Sequence, residues 1–360
     1  MKFTLKTDIQ SCDSLSSFFQ QWELGSKDLI VTNECLLSPE SVPCDYIYQE
    51  HYGAGEPSDE MVDAMLSDIR SKQYERVIAI GGGTVLDCAK LLLFEDGYNC
   101  EKIFEYGAKL ARKRSLICIP TTCGTGSEVT NISIVEFKKK GMKLGLAIPS
   151  LYPDEAVLIP ELLNSLPYDV FAASSIDALI HAMESYISPK SNEFVRALGR
   201  SAIELILQNY QQMKEQTLPK DMLPFLNAST MAGIAFGNAG CAAVHALSYP
   251  IGGKYHVPHG KANYMVFAEV FAAYLRKGAD LNTLEIVLSD VLGDSSNVWE
   301  VLFTLLDKVL PRQPLSELGI NEQKCAQMAE SVILNQQRLL NNNPIELSVE
   351  DIKQIYMRCM

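Results

Sequence analysis

The sequence predicts an α/β domain over residues 1–160, followed by an all-helical domain over residues 161–360. Before residue 160, short β-branched runs alternate with amphipathic stretches, which is the pattern of βαβ units. After residue 160, long stretches of helical period follow one another with almost no strand signal. A chain of 360 residues can bury the cores of two such domains.

Each N-terminal element follows from its own residues. Ser58 is the expected N-cap of a helix that runs to about residue 72, because acidic residues occupy its first turn. The other predicted elements are strands at 28–32, 76–80, 115–119 and 156–159, a helix at 84–94, and a hairpin of strands 131–136 and 143–148. Strands that alternate with helices predict a parallel sheet, so this domain is expected to be Rossmann-like.

The C-terminal half is predicted to be helical throughout. Its clearer helices are expected at 165–188, 193–214, 226–247, 261–276 and 297–309. Ser348 is placed to cap a last helix, with Asp351 as the acid of a capping box.

Composition excludes several functions. There are 31 Lys and Arg against 44 Asp and Glu, giving a net charge of −13, which argues against nucleic acid and anionic membranes as partners. No apolar run reaches the length of a membrane span, and the first ten residues lack a signal-peptide core. Ten scattered cysteines without a CxxC pair predict reduced thiols, and therefore a cytoplasmic protein.

Two loops carry the pattern of a nucleotide site. Gly81-Gly82-Gly83-Thr84, the glycine loop, lies between a predicted strand and a helix, where free backbone N–H groups suit a diphosphate. Residues 120–128 (PTTCGTGSE), the hydroxyl loop, follow the next strand and offer several neutral donors. The alternatives are a plain strand-to-helix turn for the glycine loop and a solvated connection for the hydroxyl loop. Because the two loops follow two strands of one predicted sheet, together they favour a nucleotide site.

A second group of residues has the spacing of metal ligands. Asp177 and His181 are four residues apart on a helix and share one face, with Glu184 one turn further on. On spacing alone, an ordinary Asp–His contact is the more common outcome. His245 and His259 follow in the same half, and three imidazoles with one carboxylate suit Fe(II), Zn(II) or Mn(II) rather than calcium.

Taken together, these motifs resemble the iron-containing (group III) alcohol dehydrogenase family over nearly the whole chain. The segments that carry the resemblance are VIAIGGGTVLDCAK, IPTTCGTGSEVT, SSIDALIHAMESYIS, AGIAFGNAGCAAVHALSYPIGG, VPHGKAN and NNNPIELSVEDI. The resemblance implies a dehydroquinate synthase-like architecture, the cofactor NAD, a catalytic Fe(II) or Zn(II), and a homodimer or larger homo-oligomer.

The same resemblance assigns roles to individual residues. The implied metal ligands are Asp177, His181, His245 and His259. Implied cofactor contacts are Gly82, Gly83 and Thr84 at the diphosphate, Asp87, Thr121, Thr122, Thr125 and Ser127 on the nicotinamide side, and Lys143 at a ribose.

Two positions depart from the family pattern. Asn33 stands where many members have an aspartate that contacts the adenosine ribose, so NADP stays an alternative cofactor, although Glu34 and the acidic chain favour NAD. Tyr249 stands where the family often has a further histidine near the substrate. We therefore take Tyr249 and His256 as the candidate catalytic residues for a proton relay, with bound water as the alternative to His256.

The implied activity is reversible hydride transfer between NAD(H) and a small primary alcohol/aldehyde pair, with the metal as Lewis acid. The wording of FGNAG, VHALSYPIGG and YHVPHG resembles the branch that acts on 4-hydroxybutyrate and succinate semialdehyde. A carboxylated substrate needs a basic or multi-donor partner, and Lys254 and His256, just before PHG, are the nearest candidates. The alternatives are 1,3-propanediol, butanol or glycerol as substrate. A lyase of the dehydroquinate synthase type and a non-catalytic binder are less favoured.

Overall fold

The computed structural model describes residues 2–38, 42–214 and 216–360. They divide into two compact units, an α/β unit of residues 5–166 with 221–226, and a helical unit of residues 167–220 and 227–360 with the N-terminal residues up to Thr4. The boundary at residues 160 and 161 stays a prediction of the sequence.

A six-stranded sheet forms the centre of the α/β unit, and every pair of neighbouring strands in it is parallel. Its strands are β1 (Asp8–Ser11), β2 (Asp28–Thr32), β3 (Asp45–Tyr48), β4 (Arg76–Gly81), β5 (Ser115–Pro120) and β8 (Glu155–Leu158), in the order β1-β8-β5-β4-β2-β3. The predicted parallel sheet is confirmed. The two edge strands were missed, because four-residue strands such as DIQS have no apolar pattern to reveal them.

Helices cover both faces of this sheet, which explains why its strands read as continuous apolar runs. The helices are α1 (Leu15–Gln21), α2 (Asp59–Ile69), α3 (Gly83–Leu91) and α4 (Cys100–Tyr106). Leu29 and Val31 face the cluster formed with α2 and α3, whereas Ile30 and Ile78 face Phe18 of α1 on the other side. The N-cap predicted at Ser58 is confirmed, since its hydroxyl accepts from the Met61 N–H at 3.2 Å.

The strand register brings the loops of interest to one edge of the sheet. Gly81 at the end of β4 pairs with Pro120 at the end of β5, and Val31 near the end of β2 pairs with Ala79. The glycine loop, the hydroxyl loop and the residues after β2 therefore all leave the carboxyl edge. The predicted hairpin is also confirmed as the antiparallel pair β6 (Ile132–Phe137) and β7 (Met142–Ala147).

Helices make up most of the described chain after residue 166. They are α5 (Tyr168–Ile187), α6 (Glu193–Gln212), α7 (Leu223–Ala239), α8 (Ala243–Tyr255), α9 (His259–Arg276), α10 (Asn282–Leu292), α11 (Val298–Val309), α12 (Glu322–Asn335), α13 (Gln337–Leu340) and α14 (Val349–Arg358). The capping box of Ser348 and Asp351 at the start of α14 is confirmed. No single helix within the described ranges is long and apolar enough to cross a membrane; only the bent pair α7 and α8 passes that test jointly.

The single helix predicted over 226–247 is wrong, because the chain breaks between α7 and α8 and bends by 105°. Gly240 at the break has φ +79°, a left-handed conformation that glycine adopts without strain. A Cβ there would also lie 2.3 Å from Nδ2 of Asn342, which donates to the Cys241 carbonyl at 2.7 Å. Because α8 begins after this break, backbone N–H groups at its start, next to His245, have no hydrogen-bond acceptor within the helix.

Candidate functional site

Four side chains from three helices converge inside the helical unit. Asp177 and His181 lie one turn apart on α5, His245 lies in the first turn of α8, and His259 is the first residue of α9. One potential ligand atom of each lies within 4.8 Å of those of the others. Three of the four are buried, whereas the side chain of His259 is 38% exposed, so the group is accessible from one side.

Asp177 is the centre of this group. Its carboxylate oxygens lie 3.9 Å from Nδ1 of His181, 3.6 Å from Nε2 of His245 and 3.8 Å from Nε2 of His259. Burial alone would raise the pKa of Asp177, but the three histidines outweigh burial and hold that pKa well below its usual range. The carboxylate is therefore ionised and able to bind a cation.

Close helix packing puts His259 in this group. Pro258 precedes the first turn of α9 and Gly260 follows, and a Cβ on Gly260 would lie 2.2 Å from the carbonyl oxygen of Ala173 on α5. Only a glycine lets the start of α9 approach the α5 backbone this closely. The PHG motif thus has two roles: its glycine allows close helix packing, and its histidine joins the group around Asp177.

Glu184, one turn beyond His181 on α5, fixes the orientation of His245. Its carboxylate lies 2.6 Å from Nδ1 of His245 and accepts the backbone N–H groups of Ala242 at 2.8 Å and Val244 at 2.6 Å. Burial lowers the pKa of His245, but Glu184 and Asp177 more than offset this and raise it to about 9. Sequence spacing placed Glu184 on the shared face, but its partners come from the start of α8, 58 or more residues away.

Asn263 is a further residue of the group that the sequence did not indicate. It lies one turn after His259 on α9, is fully buried, and its Nδ2 donates to the Asp177 carboxylate at 2.6 Å. The same Nδ2 lies 3.2 Å from Nε2 of His259. The only available signal was the four-residue spacing from His259.

The residues present fit a transition metal. Nε2 of His245 is buried and has no hydrogen-bond partner among the described residues, although its other nitrogen is held by Glu184. A buried polar atom without a partner is costly unless a further group binds it. Ligating histidines characteristically donate their second nitrogen to a carboxylate, as His245 does here. Three imidazoles and one carboxylate suit Fe(II) or Zn(II).

The two candidate catalytic residues lie differently with respect to this group. Tyr249 is half-buried on α8, and its ring centre lies 6.4 Å from that of His259. His256 is exposed at the end of α8, in a left-handed conformation with φ +56° that is uncommon outside glycine. The structure does not bring His256 into the cluster.

In the α/β unit, the glycine loop and the hydroxyl loop pack against each other. A Cβ on Gly82 would lie 3.4 Å from the Thr122 methyl, and a Cβ on Gly83 would lie 2.9 Å from the Thr125 methyl. Gly82 is the N-cap of α3 and has no side chain with which to cap the helix. The hydroxyl of Thr84 instead donates to the Gly55 carbonyl at 3.2 Å.

The remaining predicted cofactor residues of this unit are tied into its structure. Ser127 donates to Asp87 at 2.5 Å, so these two side chains are brought together by a bond to each other. Thr121 is buried, and its N–H donates to the Gly81 carbonyl at 3.1 Å. Lys143 on β7 forms an ion pair with Glu56.

Acidic groups surround Asn33 after β2. Its Nδ2 donates to the Glu50 carboxylate at 2.8 Å, and that carboxylate also accepts the Glu34 N–H at 2.8 Å. Burial raises the pKa of Glu50, but these hydrogen bonds lower it overall, so Glu50 stays ionised. Negative charge therefore lies beside Asn33 although Asn33 itself is neutral.

A parallel sheet with a glycine loop at its carboxyl edge, together with a largely buried group of three histidines and an aspartate, is the arrangement of a metal-dependent oxidoreductase that uses a dinucleotide. Solved structures of this fold include a 1,3-propanediol oxidoreductase, with TM-score 0.86 and 23% identity over 100% of this chain and 99% of that one. Another is sulfoacetaldehyde reductase from Bifidobacterium kashiwanohense in complex with NAD+, with TM-score 0.85 and 22% identity over 99% and 98% of the two chains.

Sequence comparison gives the family. The profile described as iron-containing alcohol dehydrogenase matches residues 11–160, and that of the Fe-containing alcohol dehydrogenase family, C-terminal, matches residues 171–360. The chain belongs to the iron-containing alcohol dehydrogenase family, so the predicted family and fold class are confirmed.

Two relatives show how specific the similarity is. The chain is 45% identical to a 4-hydroxybutyrate dehydrogenase of Clostridium kluyveri, over 98% of each protein. It is 34% identical to long-chain-alcohol dehydrogenase 1 of Geobacillus thermodenitrificans, over 84% of this chain and 79% of that protein.

Proposed function

We propose that this protein is a metal-dependent, NAD(H)-linked dehydrogenase that interconverts 4-hydroxybutyrate and succinate semialdehyde. The observation that carries the chemistry is the group of Asp177, His181, His245 and His259, three of them buried, in which Nε2 of His245 has no hydrogen-bond partner among the described residues. The substrate is proposed from the similarity along the full chain to the 4-hydroxybutyrate dehydrogenase of Clostridium kluyveri.

The four residues of this group would hold an Fe(II) or Zn(II) ion. When bound, the ion supplies Lewis-acid chemistry, which stabilises negative charge on a substrate oxygen. The chain's own contribution is orientation: Glu184 holds the imidazole of His245, and Asn263 holds the carboxylate of Asp177. The partly exposed His259 leaves one side of the group open for a substrate.

NAD(H), which supplies the hydride chemistry, would be held by the carboxyl edge of the sheet. The proposed diphosphate contacts are the backbone N–H groups of Gly82, Gly83 and Thr84, because a helix N-terminus favours negative charge. The proposed contacts on the nicotinamide side are Asp87, Thr121, Thr122, Thr125 and Ser127, with Lys143 at a ribose.

The acidic groups near Asn33 support NAD over NADP. By strand register, Asn33 leaves the same sheet edge as the glycine loop. The Glu50 carboxylate bound to its side chain places there the negative charge that an aspartate would otherwise bring. Such a charge accepts from a ribose 2′-hydroxyl and repels a 2′-phosphate.

Of the two candidate catalytic residues, we favour Tyr249 for the proton relay. It lies one turn after His245 on α8 with its ring near that of His259, so the Tyr249 hydroxyl would hold a proton close to the open side of the group. His256 and Lys254 are exposed at the end of the same helix and are the proposed partners of a substrate carboxylate. A homo-oligomer and a cytoplasmic location are further proposals, supported by the family and by ten free cysteines.

Turnover with matched aldehydes tests this function. The protein is purified without oxygen, its metal content measured, and kcat/KM compared for succinate semialdehyde and butyraldehyde with NADH and with NADPH. Butyraldehyde has the same chain length without the carboxylate, so recognition of that charge predicts a preference for succinate semialdehyde of about tenfold or more. Equal kcat/KM values for the two aldehydes would show that the protein does not recognise the carboxylate, and would favour butanol, 1,3-propanediol or glycerol as the substrate.

A further inference from the structure

Lys90 on α3 is a fully buried cation that none of the roles above uses. Its side chain is 0% exposed, and its three N–H donors are matched by three acceptors. They are Oγ of Ser127 at 2.6 Å, Oγ1 of Thr130 at 3.3 Å and the carbonyl of Ile132 at 2.7 Å. A buried charge is expensive, so full pairing of its donors indicates a defined task.

The partners of Lys90 lie at successive points along one loop. Ser127 and Thr130 lie at the start and just beyond the end of the short helical turn Ser127–Val129, and Ile132 begins β6. The ammonium therefore anchors the end of the hydroxyl loop and the entry into the hairpin. It also lies 3.6 Å from the carboxylate of Asp87, one turn earlier on α3.

Asp87 continues this anchoring on the other side. One of its carboxylate oxygens accepts the Ser127 hydroxyl at 2.5 Å, and the other accepts the Ile134 N–H at 3.0 Å. The Ser127 hydroxyl thus donates to Asp87 while it accepts from Lys90, which fixes its direction.

The opposite end of α3 holds the same loop by contact. Gly83 in its first turn lies against Thr125, where a Cβ would come within 2.9 Å of the threonine methyl. Helix α3 therefore contacts the hydroxyl loop at two places. Its N-terminus packs closely against the loop, and two turns later the buried ammonium of Lys90 hydrogen-bonds to it. Both loops are fixed relative to each other as a result.

We propose that Lys90 is a positioning residue for dinucleotide binding. Through Ser127 and Thr130 it holds the hydroxyl loop in a fixed position against the glycine loop. This inference rests on the proposed binding of NAD(H) at these loops. Lys90 is itself buried, so its effect reaches the dinucleotide only through the loop.

Replacement of Lys90 by methionine tests the proposal, because methionine fills similar space without donors. Left without donors, the buried acceptors would let the loop shift, and we expect the Kd for NADH, measured by fluorescence, to rise by about tenfold or more. KM for NADH should rise in parallel. The KM for the aldehyde and the Kd for Zn(II), measured with a competing chelator, should stay within about twofold.

Arg114 provides the matched control. Its guanidinium is also 0% exposed in the α/β unit, and it donates to the carbonyls of Leu92 and Phe94 at 2.9 and 2.8 Å and to Asp96 at 2.7 Å. Arg114→Met removes a comparable buried cation without touching either loop. We expect it to lower the Tm by a similar amount and to leave the Kd for NADH within about twofold.

A milder variant keeps the test valid if Lys90→Met does not fold. Thr130→Val preserves shape and removes one of the three acceptors, and we expect a rise of about fivefold in the Kd for NADH. An unchanged Kd in a folded variant, or an equal rise in Arg114→Met, would overturn the positioning role. If the wild-type chain bound neither NADH nor NADPH, the proposed function would fail, and the role of Lys90 with it.

Discussion

Replacement of Glu184 by glutamine is the sharpest test of the metal centre. Glu184 accepts three N–H groups in a fully buried place, from Nδ1 of His245 and from the backbone of Ala242 and Val244. Glutamine has nearly the same shape, so it removes the charge and one acceptor without leaving a cavity.

The size of the effect follows from these three bonds. One carboxylate oxygen accepts from both Ala242 and His245, and the other accepts from Val244. With the glutamine oxygen in the doubly bonded position, its NH₂ group faces the Val244 N–H, which loses its acceptor. An unpaired buried donor costs about 1–3 kcal/mol of unfolding free energy. Loss of the carboxylate behind a ligating histidine lowers metal affinity by about 10–100-fold, equivalent to about 1.4–2.8 kcal/mol.

Two measurements check this result. Urea unfolding of the metal-free protein gives the stability change, and competition with a chelator gives the Kd for Zn(II). Glu204→Gln is the control, because Glu204 is a glutamate of the same unit whose 2.6 Å ion pair with Arg200 is partly exposed. Glu204→Gln should lower the free energy of unfolding by less than about 1 kcal/mol and leave the Kd for Zn(II) unchanged.

A Kd for Zn(II) within twofold of wild type in Glu184→Gln would refute the reasoning, because His245 would then need no carboxylate behind it. A stability loss equal to that of Glu204→Gln would show that the three buried bonds carry no net energy.

Three further results are expected. Gly260→Ala should destabilise the protein by about 1–3 kcal/mol or more in urea unfolding, because its Cβ would meet the Ala173 carbonyl at 2.2 Å, whereas Gly253→Ala, with nothing within 4 Å, should not destabilise it. Glu50→Gln should raise kcat/KM with NADPH relative to NADH by about fivefold, since one unit charge is worth about 1 kcal/mol under water-like screening; an unchanged ratio would exclude Glu50 from cofactor selection. Addition of Zn(II) at about 100 times its Kd should stabilise the metal-free protein by about 2.7 kcal/mol, and His259→Ala should lose most of this gain at the same concentration.

Local features of the chain were predictable because their physical causes lie within a few residues. The four-residue spacing of Asp177 and His181 sets their common face through the hydrogen bonds of a single helix. The caps at Ser58 and Ser348 are equally local. The parallel sheet followed from short strands that alternate with helical segments along the first 160 residues.

Only the tertiary structure decided which distant groups meet. His245 and His259 reach Asp177 because the chain breaks at Gly240 and because Gly260 allows α9 to lie against α5. The role of Glu184 depends on N–H groups that this break frees, and the burial of Lys90 depends on a loop 37 or more residues away. Such contacts arise from the packing of whole helices rather than from the period of any one of them, so the sequence determined the candidate groups and the tertiary structure determined how they are held.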